Sequence, residues 1–232
     1  MDKVLSMDHN IVLHVFGLPI NETLFFTWIV MGLLVFLSWL ATRHLASGMK
    51  VSRLQTAMEI IVLAVRKQVI DVSGDTPKKY LAIMGTFLLF IAMSNLLTII
   101  PFFSPPTASL STTGAFAFCV FVAIPVFGIR NAGVKKYLHK YLEPTPIMLP
   151  LNILGDFSSV FSLAFRLYGN VLSGTVISVV LMMLVPFLLP LPMQLLSLFT
   201  GMIQAYIFAI LAIVYVSSVA PPERYHDTLT YL

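Results

Sequence analysis

The chain has 232 residues, of which 58% are hydrophobic and only 10% charged, with a formal net charge of +4. A soluble domain carries about 25% charged residues, so this composition excludes a water-soluble globular fold. It leaves room for five or six membrane-crossing helices, each needing about 20 apolar residues. The single cysteine, Cys119, excludes an internal disulfide. Its place inside an apolar run reads as a small buried hydrophobe.

Residues 11–20 are too short for the apolar region of a secretory signal, carry His14 and lack a small-residue cleavage site. Membrane entry is therefore expected to rely on the first full span. That span is read over residues 24–40, after an outside N-terminal segment, 1–21. Residues 49–72 differ in kind. Leu54, Met58, Ile61, Val62, Val65 and Val69 recur at helical spacing between Arg53, Glu59, Arg66, Lys67 and Asp71. This is an amphipathic helix, suited to an anionic membrane surface, to packing on its own bundle, or to both.

A second span covers residues 80–100 and ends at Pro101, followed by the uncharged, turn-rich segment FFSPPTASLSTT. A third covers 114–129. A basic loop over 130–150 then leads to two long apolar stretches, 151–185 and 193–219, separated by Pro186, Pro190 and Pro192. The apolar part of the first, residues 157–185, would extend roughly 43 Å at about 1.5 Å per residue. That exceeds a ~30 Å hydrocarbon core and implies strong tilt or a bend. The expected fold is thus an all-α membrane protein in one domain, 1–232: about five transmembrane helices, one amphipathic helix, and the last two spans forming a tilted hairpin.

Charge orients the chain. Of its fourteen Lys and Arg residues, Lys3 precedes the first span and Arg166 lies inside a span. With five crossings the other twelve fall on one side, and the loops near 104–113 and 186–192 carry no charge. Because cytoplasmic loops are enriched in Lys and Arg, the N-terminus is placed outside and the C-terminus in the cytoplasm.

Arg166 is the anomaly. A guanidinium at the bilayer centre costs about 2.5–3.5 kcal/mol on insertion scales, and arginine cannot shed its proton to escape. Asp156, Ser159, Ser162, Arg166, Asn170 and Ser173 recur every three or four residues and form one polar stripe. Gly169 and Gly174 flank it and permit close approach of another backbone. Asp156 either lines an aqueous path or sits at the N-terminal end of its helix, where a negative charge is favoured. On the final stretch Ser197, Gly201, Gln204, Tyr215 and Ser218 supply a sparser polar face, and Gln204 can donate or accept a hydrogen bond near Arg166. No acidic residue of the spans is an evident partner for Arg166, which points to a counter-charge on another polypeptide. Neither H-E-x-x-H nor G-x-S-x-G occurs, so the reading is of a non-enzymatic ion-translocating protein with no cofactor, no metal and no nucleic-acid partner. A small secondary ion transporter or channel is the alternative, although no inverted halves are evident.

The run NILGDFSSVFSLAFRLYGNVLSG, residues 152–174, resembles the signature of subunit a of the rotary F-type ATP synthase, centred on an arginine in an RL(F/Y)GN context. LFTGMIQAYIFAILAIVYVSS, residues 198–218, resembles the final helix of the same family. The resemblance implies a stator subunit in the bacterial plasma membrane, facing a ring of c subunits and joined by the b subunits of the peripheral stalk. Two offset half-channels would meet near Arg166, which would attract the ring carboxylate and block a leak. Asn170 and Gln204 match motif positions that assist at that interface, and Asp156 matches an acidic position near the cytoplasmic path. The sequence departs from the family in one respect. Thr175 and Ser197 stand where many members carry a glutamate and some a histidine, which leaves H⁺ and Na⁺ both open and makes Ser173, Thr175, Ser197 and Tyr215 candidate lining residues.

Overall fold

Hydrocarbon offers no partner for backbone N–H and C=O groups, so a lipid-exposed segment must satisfy them within itself, as a helix does. A computed structural model follows that rule. It describes residues 11–15, 18–43, 53–73, 77–100, 103, 105–142, 148–184 and 190–219. Among these are seven α-helices: α1 (Glu22–Thr42), α2 (Arg53–Ser73), α3 (Pro77–Leu97), α4 (Leu110–Ala132), α5 (Val134–Leu142), α6 (Met148–Leu184) and α7 (Pro190–Val219). Five of them, α1, α3, α4, α6 and α7, are long and apolar enough to cross a membrane. The chain is an integral, multi-pass, all-α membrane protein. A small antiparallel hairpin, β1 (Ile11–Val15) with β2 (Leu18–Asn21), precedes α1 and sets Val15 opposite Leu18. The cationic positions Lys3, Lys50 and Arg224, residues 49–52 of the expected amphipathic helix, Val185 and the turn prolines Pro101 and Pro186 lie outside the described residues.

The bundle is organised around α3 and α7. In each, 39% of the apolar window is buried, against 11% for α1. Tyr80, Met84, Phe87 and Ile91 recur every three or four residues along α3 and are buried. They face Ala205, Phe208, Ala209, Ala212, Ile213 and Val216 of α7 in one continuous core. The alanines let the backbones approach closely, the usual device where lipid is as apolar as protein. Phe87 closes the packing with edge-on contacts to Phe116 of α4 and Phe208 of α7, at 5.8 and 5.5 Å between ring centres. By contrast α1 exposes Trp28, Val35, Phe36 and Trp39, an apolar face suited to lipid. Cys119 is also exposed; it lies on the outer face of α4, not in the core as its apolar neighbours suggested.

The amphipathic α2 docks on the bundle. Val65 and Val69 enter the core shared with α3 and α7, while Glu59, Arg66, Lys67 and Asp71 remain exposed. Ile60, Leu63 and Ile70 are exposed as well, so apolar surface is left over for the membrane.

Two connections differ from a plain loop. The uncharged segment before α4 folds a 3₁₀ turn, Pro106–Ala108, into the bundle, where Thr107, Ser109 and Thr113 are buried. The Ser94 and Thr107 hydroxyls lie 3.4 Å apart. The absence of charge in this segment permits such burial, since no ion has to be desolvated. The basic stretch read as a loop contains α5. Val134, Leu138 and Tyr141 repeat at helical spacing there, and Gly133, at φ 79°, breaks α4 from α5 in a conformation that glycine tolerates best.

The hairpin of α6 and α7 is longer than the apolar pattern alone suggested. The α6 span of 36 residues, Leu149–Leu184, is about 54 Å long and must tilt or curve to stay within a ~30 Å core. Gly174 marks the close approach of the two helices. A Cβ built there would lie 3.1 Å from the Ser197 Cβ and would collide with its hydroxyl. Replacing Gly174 with valine should therefore cost about 1–3 kcal/mol by overpacking, seen as a lower midpoint in thermal unfolding of the purified protein. An unchanged midpoint would contradict the contact.

Candidate functional site

The inner face of α6 is set by Val160, Leu163, Ala164, Leu167 and Val171, all buried against neighbouring helices. That packing fixes the opposite face outward. Ser162, Arg166, Gly169 and Ser173 are exposed along it, with Ser159 and Asn170 half-buried at its edge. Beside this stripe runs an aromatic ladder, Phe157, Phe161 and Phe165, with ring centres 5.6 and 4.6 Å apart. Arg166 thus points away from its own bundle. No described residue pairs with it or hydrogen-bonds to it.

One turn beyond Arg166 a cleft opens between α6 and α7. Its volume is about 180 Å³, and Asn170, Ser173, Gly174, Ser197 and Thr200 line it together with Ile177, Met193 and Leu196. The hydroxyls of Ser173 and Thr200 donate back to their own helices, Ser173 to the Asn170 carbonyl at 2.9 Å and Thr200 to Ser197 at 3.0 Å. Their oxygen lone pairs remain available as acceptors. Thr175 is half-buried and donates to the Leu172 carbonyl at 2.9 Å; it does not line the cleft. Thr200 escaped the sequence reading, although its place three residues after Ser197 puts it on the same helical face.

Gln204 lies deeper, 6% exposed, and its Nε2 has no hydrogen-bond partner. Leaving a buried amide donor unpartnered is costly. The side chain sits on the core face of α7, whereas Arg166 faces out, so the two do not bond to each other among the described contacts. Tyr215 is half-buried against the same core, about three turns on.

Asp156 occupies a separate place. The helix begins at Met148, so Asp156 is in its third turn, beyond the first turn where the helix dipole acts. Its half-buried carboxylate instead accepts a hydrogen bond from the Tyr141 hydroxyl at 2.5 Å, and Asn152 Nδ2 donates to the Tyr141 carbonyl at 3.2 Å. Helix α5 is thereby fastened to the start of α6. Asp156 is about 15 Å along the helix from Arg166, on the opposite side from the cleft. Among the described residues no three His, Cys, Asp or Glu side chains cluster to hold a metal.

A multi-span helical bundle that turns a mid-span cation, Arg166, outward with polar groups on either side of it has the character of a protein that works on ions within a membrane. The comparisons with known proteins agree. Residues 24–217 match the family described as ATP synthase A chain. Subunit a 2 of the Acaryochloris marina (strain MBIC 11017) ATP synthase is 50% identical over 207 residues, 89% of this chain and 88% of its own length. The Albidiferax ferrireducens subunit a is 50% identical over 94% of this chain and 91% of its own. Subunit a 1 of Chlorobaculum parvum is 49% identical over 92% and 95%. This chain belongs to the ATP synthase A chain family.

Tyr141 gives a pH test of the α5–α6 fastening. Burial first, then the hydrogen bonds to Asp156 and Tyr137, push its phenol well above the usual value of 10.0. The neutral form is favoured in the folded protein, so this contribution to stability is complete below about pH 10 and is lost as pH rises beyond it. In an ultraviolet titration near pH 10, where exposed tyrosines ionise, wild type and Tyr141→Phe should give the same phenolate signal. A signal smaller in the variant by one tyrosine would contradict the burial.

Proposed function

We propose that this protein is the ion-conducting stator subunit of a rotary F-type ATP synthase. It passes H⁺ or Na⁺ to and from carboxylates on a ring of c subunits and so couples ion flow to rotation. The observation that carries the reading is the exposed, unpaired Arg166 in the middle of a span. A permanent cation there has a reason to persist if a carboxylate of a neighbouring chain comes to meet it, because an opposite charge within about 4–6 Å favours the ionised form of that acid.

The residues divide around Arg166. Toward the 184 end, the cleft lined by Asn170, Ser173, Ser197 and Thr200 forms the half-channel from outside. Toward the 148 end, Ser162, Ser159 and Asp156 mark the route to the cytoplasm. Gln204 stands behind the meeting point, where its unpartnered amide donor on the core face of α7 can hold a water molecule. Thr175 and Tyr215 border the two routes without lining the cleft. Where the resemblance implies a glutamate in many members and a histidine in some, this protein has Thr175 and Ser197, and the hydroxyls of Ser173, Ser197 and Thr200 give the cleft a lining that can solvate either ion.

One elementary charge crossing 100 mV yields about 2.3 kcal/mol. A cation that cannot be neutralised, placed between two offset paths, prevents ions from dissipating that energy without turning the ring. The subunit performs no chemistry on ATP itself. It lies in a bacterial plasma membrane with its N-terminus outside and its C-terminus in the cytoplasm, beside the c-ring and the b subunits. The uncharged outer segments and the cationic loops support that orientation.

Arg166→Ala should leave the subunit in the membrane, by immunoblot, and reduce ion-driven ATP synthesis in vesicles to background. Synthesis that remained coupled in this variant would contradict the role given to Arg166.

A further inference from the structure

Helix α7 meets α3 through small and large side chains together. Ala205, Ala209 and Ala212 are fully buried and bring the backbones close, and Phe208 packs edge-on against Phe87 further along the contact. Toward the start of α7, around Gly201, directional bonds join the two helices. Asn95 of α3, 3% exposed, donates from Nδ2 to the Gly201 carbonyl at 2.8 Å. In return Gln194 of α7 donates from Nε2 to the Thr98 carbonyl, just past the end of α3, at 2.7 Å. The two bonds run in opposite senses between the same pair of helices, about two turns of α7 apart. Gly201 is needed for the first. A Cβ built there would lie 2.9 Å from both Cγ and Nδ2 of Asn95. Gln204, with its unpartnered Nε2, follows Gly201 by three residues and shares its face of the helix.

We infer that Asn95 is a positioning residue for ion translocation: its hydrogen bond to the Gly201 carbonyl sets the rotation of α7 that aims the Gln204 amide. The inference rests on the function proposed above. Asn95 touches neither the ion nor the ring and acts through Gln204. Gln194 holds the outer end of α7 in register, and Asn95 holds the turn next to the working residue.

The test uses the assembled complex in membrane vesicles, in a Cys119→Ser background. Asn95→Leu keeps the side chain's bulk and removes the donor. Ion-driven ATP synthesis should fall by roughly 10- to 100-fold, the scale of an ångström-sized misplacement of a working group. The thiol of Gln204→Cys, combined with Asn95→Leu, should react with a small membrane-permeant thiol reagent at a rate several-fold different from that with Asn95 intact. The thiol of Asn170→Cys on α6 should react at an unchanged rate. If Asn95→Leu does not accumulate, Asn95→Ala, which opens space, is read in the same way. Full synthesis in these variants, reduced synthesis with unaltered labelling at position 204, or loss of both variants from the membrane would each overturn the inference. Arg166→Ala run in parallel separates the two levels. If it retains coupled synthesis, the proposed function fails; if it abolishes synthesis while Asn95→Leu has no effect, only the positioning role fails.

Discussion

A permanent positive charge in hydrocarbon is the constraint on which the rest of this structure depends. Arg166 cannot be neutralised by losing its proton, and no described residue of its own chain pairs with it. The protein does not bury the charge in its core, where an isolated ion would cost far more. It turns the guanidinium outward on a face that also carries Ser162, Gly169 and Ser173. Lipid tails solvate a guanidinium poorly. The face suits a partner that brings the opposite charge.

Everything behind Arg166 serves to hold that face still. Leu163, Ala164 and Leu167 lock α6 by its inner side, Gly174 admits Ser197 at close range, and Tyr141 ties Asp156 to the short helix α5. On the other side of the hairpin, α7 is held against α3 by apolar packing that includes the Phe87–Phe208 pair and by the amide–carbonyl bonds of Asn95 and Gln194. A site that must pass ions repeatedly needs such rigidity, since each ion meets the same few polar atoms without a covalent step to correct their placement.

Much of this was legible in the sequence, for physical reasons. Long apolar runs and the one-sided distribution of Lys and Arg reveal spans because the bilayer imposes both length and charge rules. Arg166 and its stripe are visible because a helix repeats its faces every three or four residues. Helix α5 was hidden by its lysines and histidine, which read as a loop although Val134, Leu138 and Tyr141 kept a helical period. The start of α6 at Met148 was obscured by Pro150, which a helix accepts in its first turn. Asn95 passed unremarked as one polar residue in an apolar span; only the fold shows that it meets Gly201, 106 positions away. The burial of Gln204 could not be read either, because the face that α7 turns inward depends on that same distant contact.

In the proposed function the Arg166 guanidinium faces a carboxylate of a neighbouring rotor helix within the membrane. A high-resolution structure of the assembled complex measures this directly. The account predicts the guanidinium within about 4–6 Å of such a carboxylate, the range in which opposite charges shift one another's ionisation, with the cleft at Asn170, Ser197 and Thr200 open on the outer side. A guanidinium found against lipid tails, or paired with an acid of its own chain with no rotor helix beside it, would contradict it.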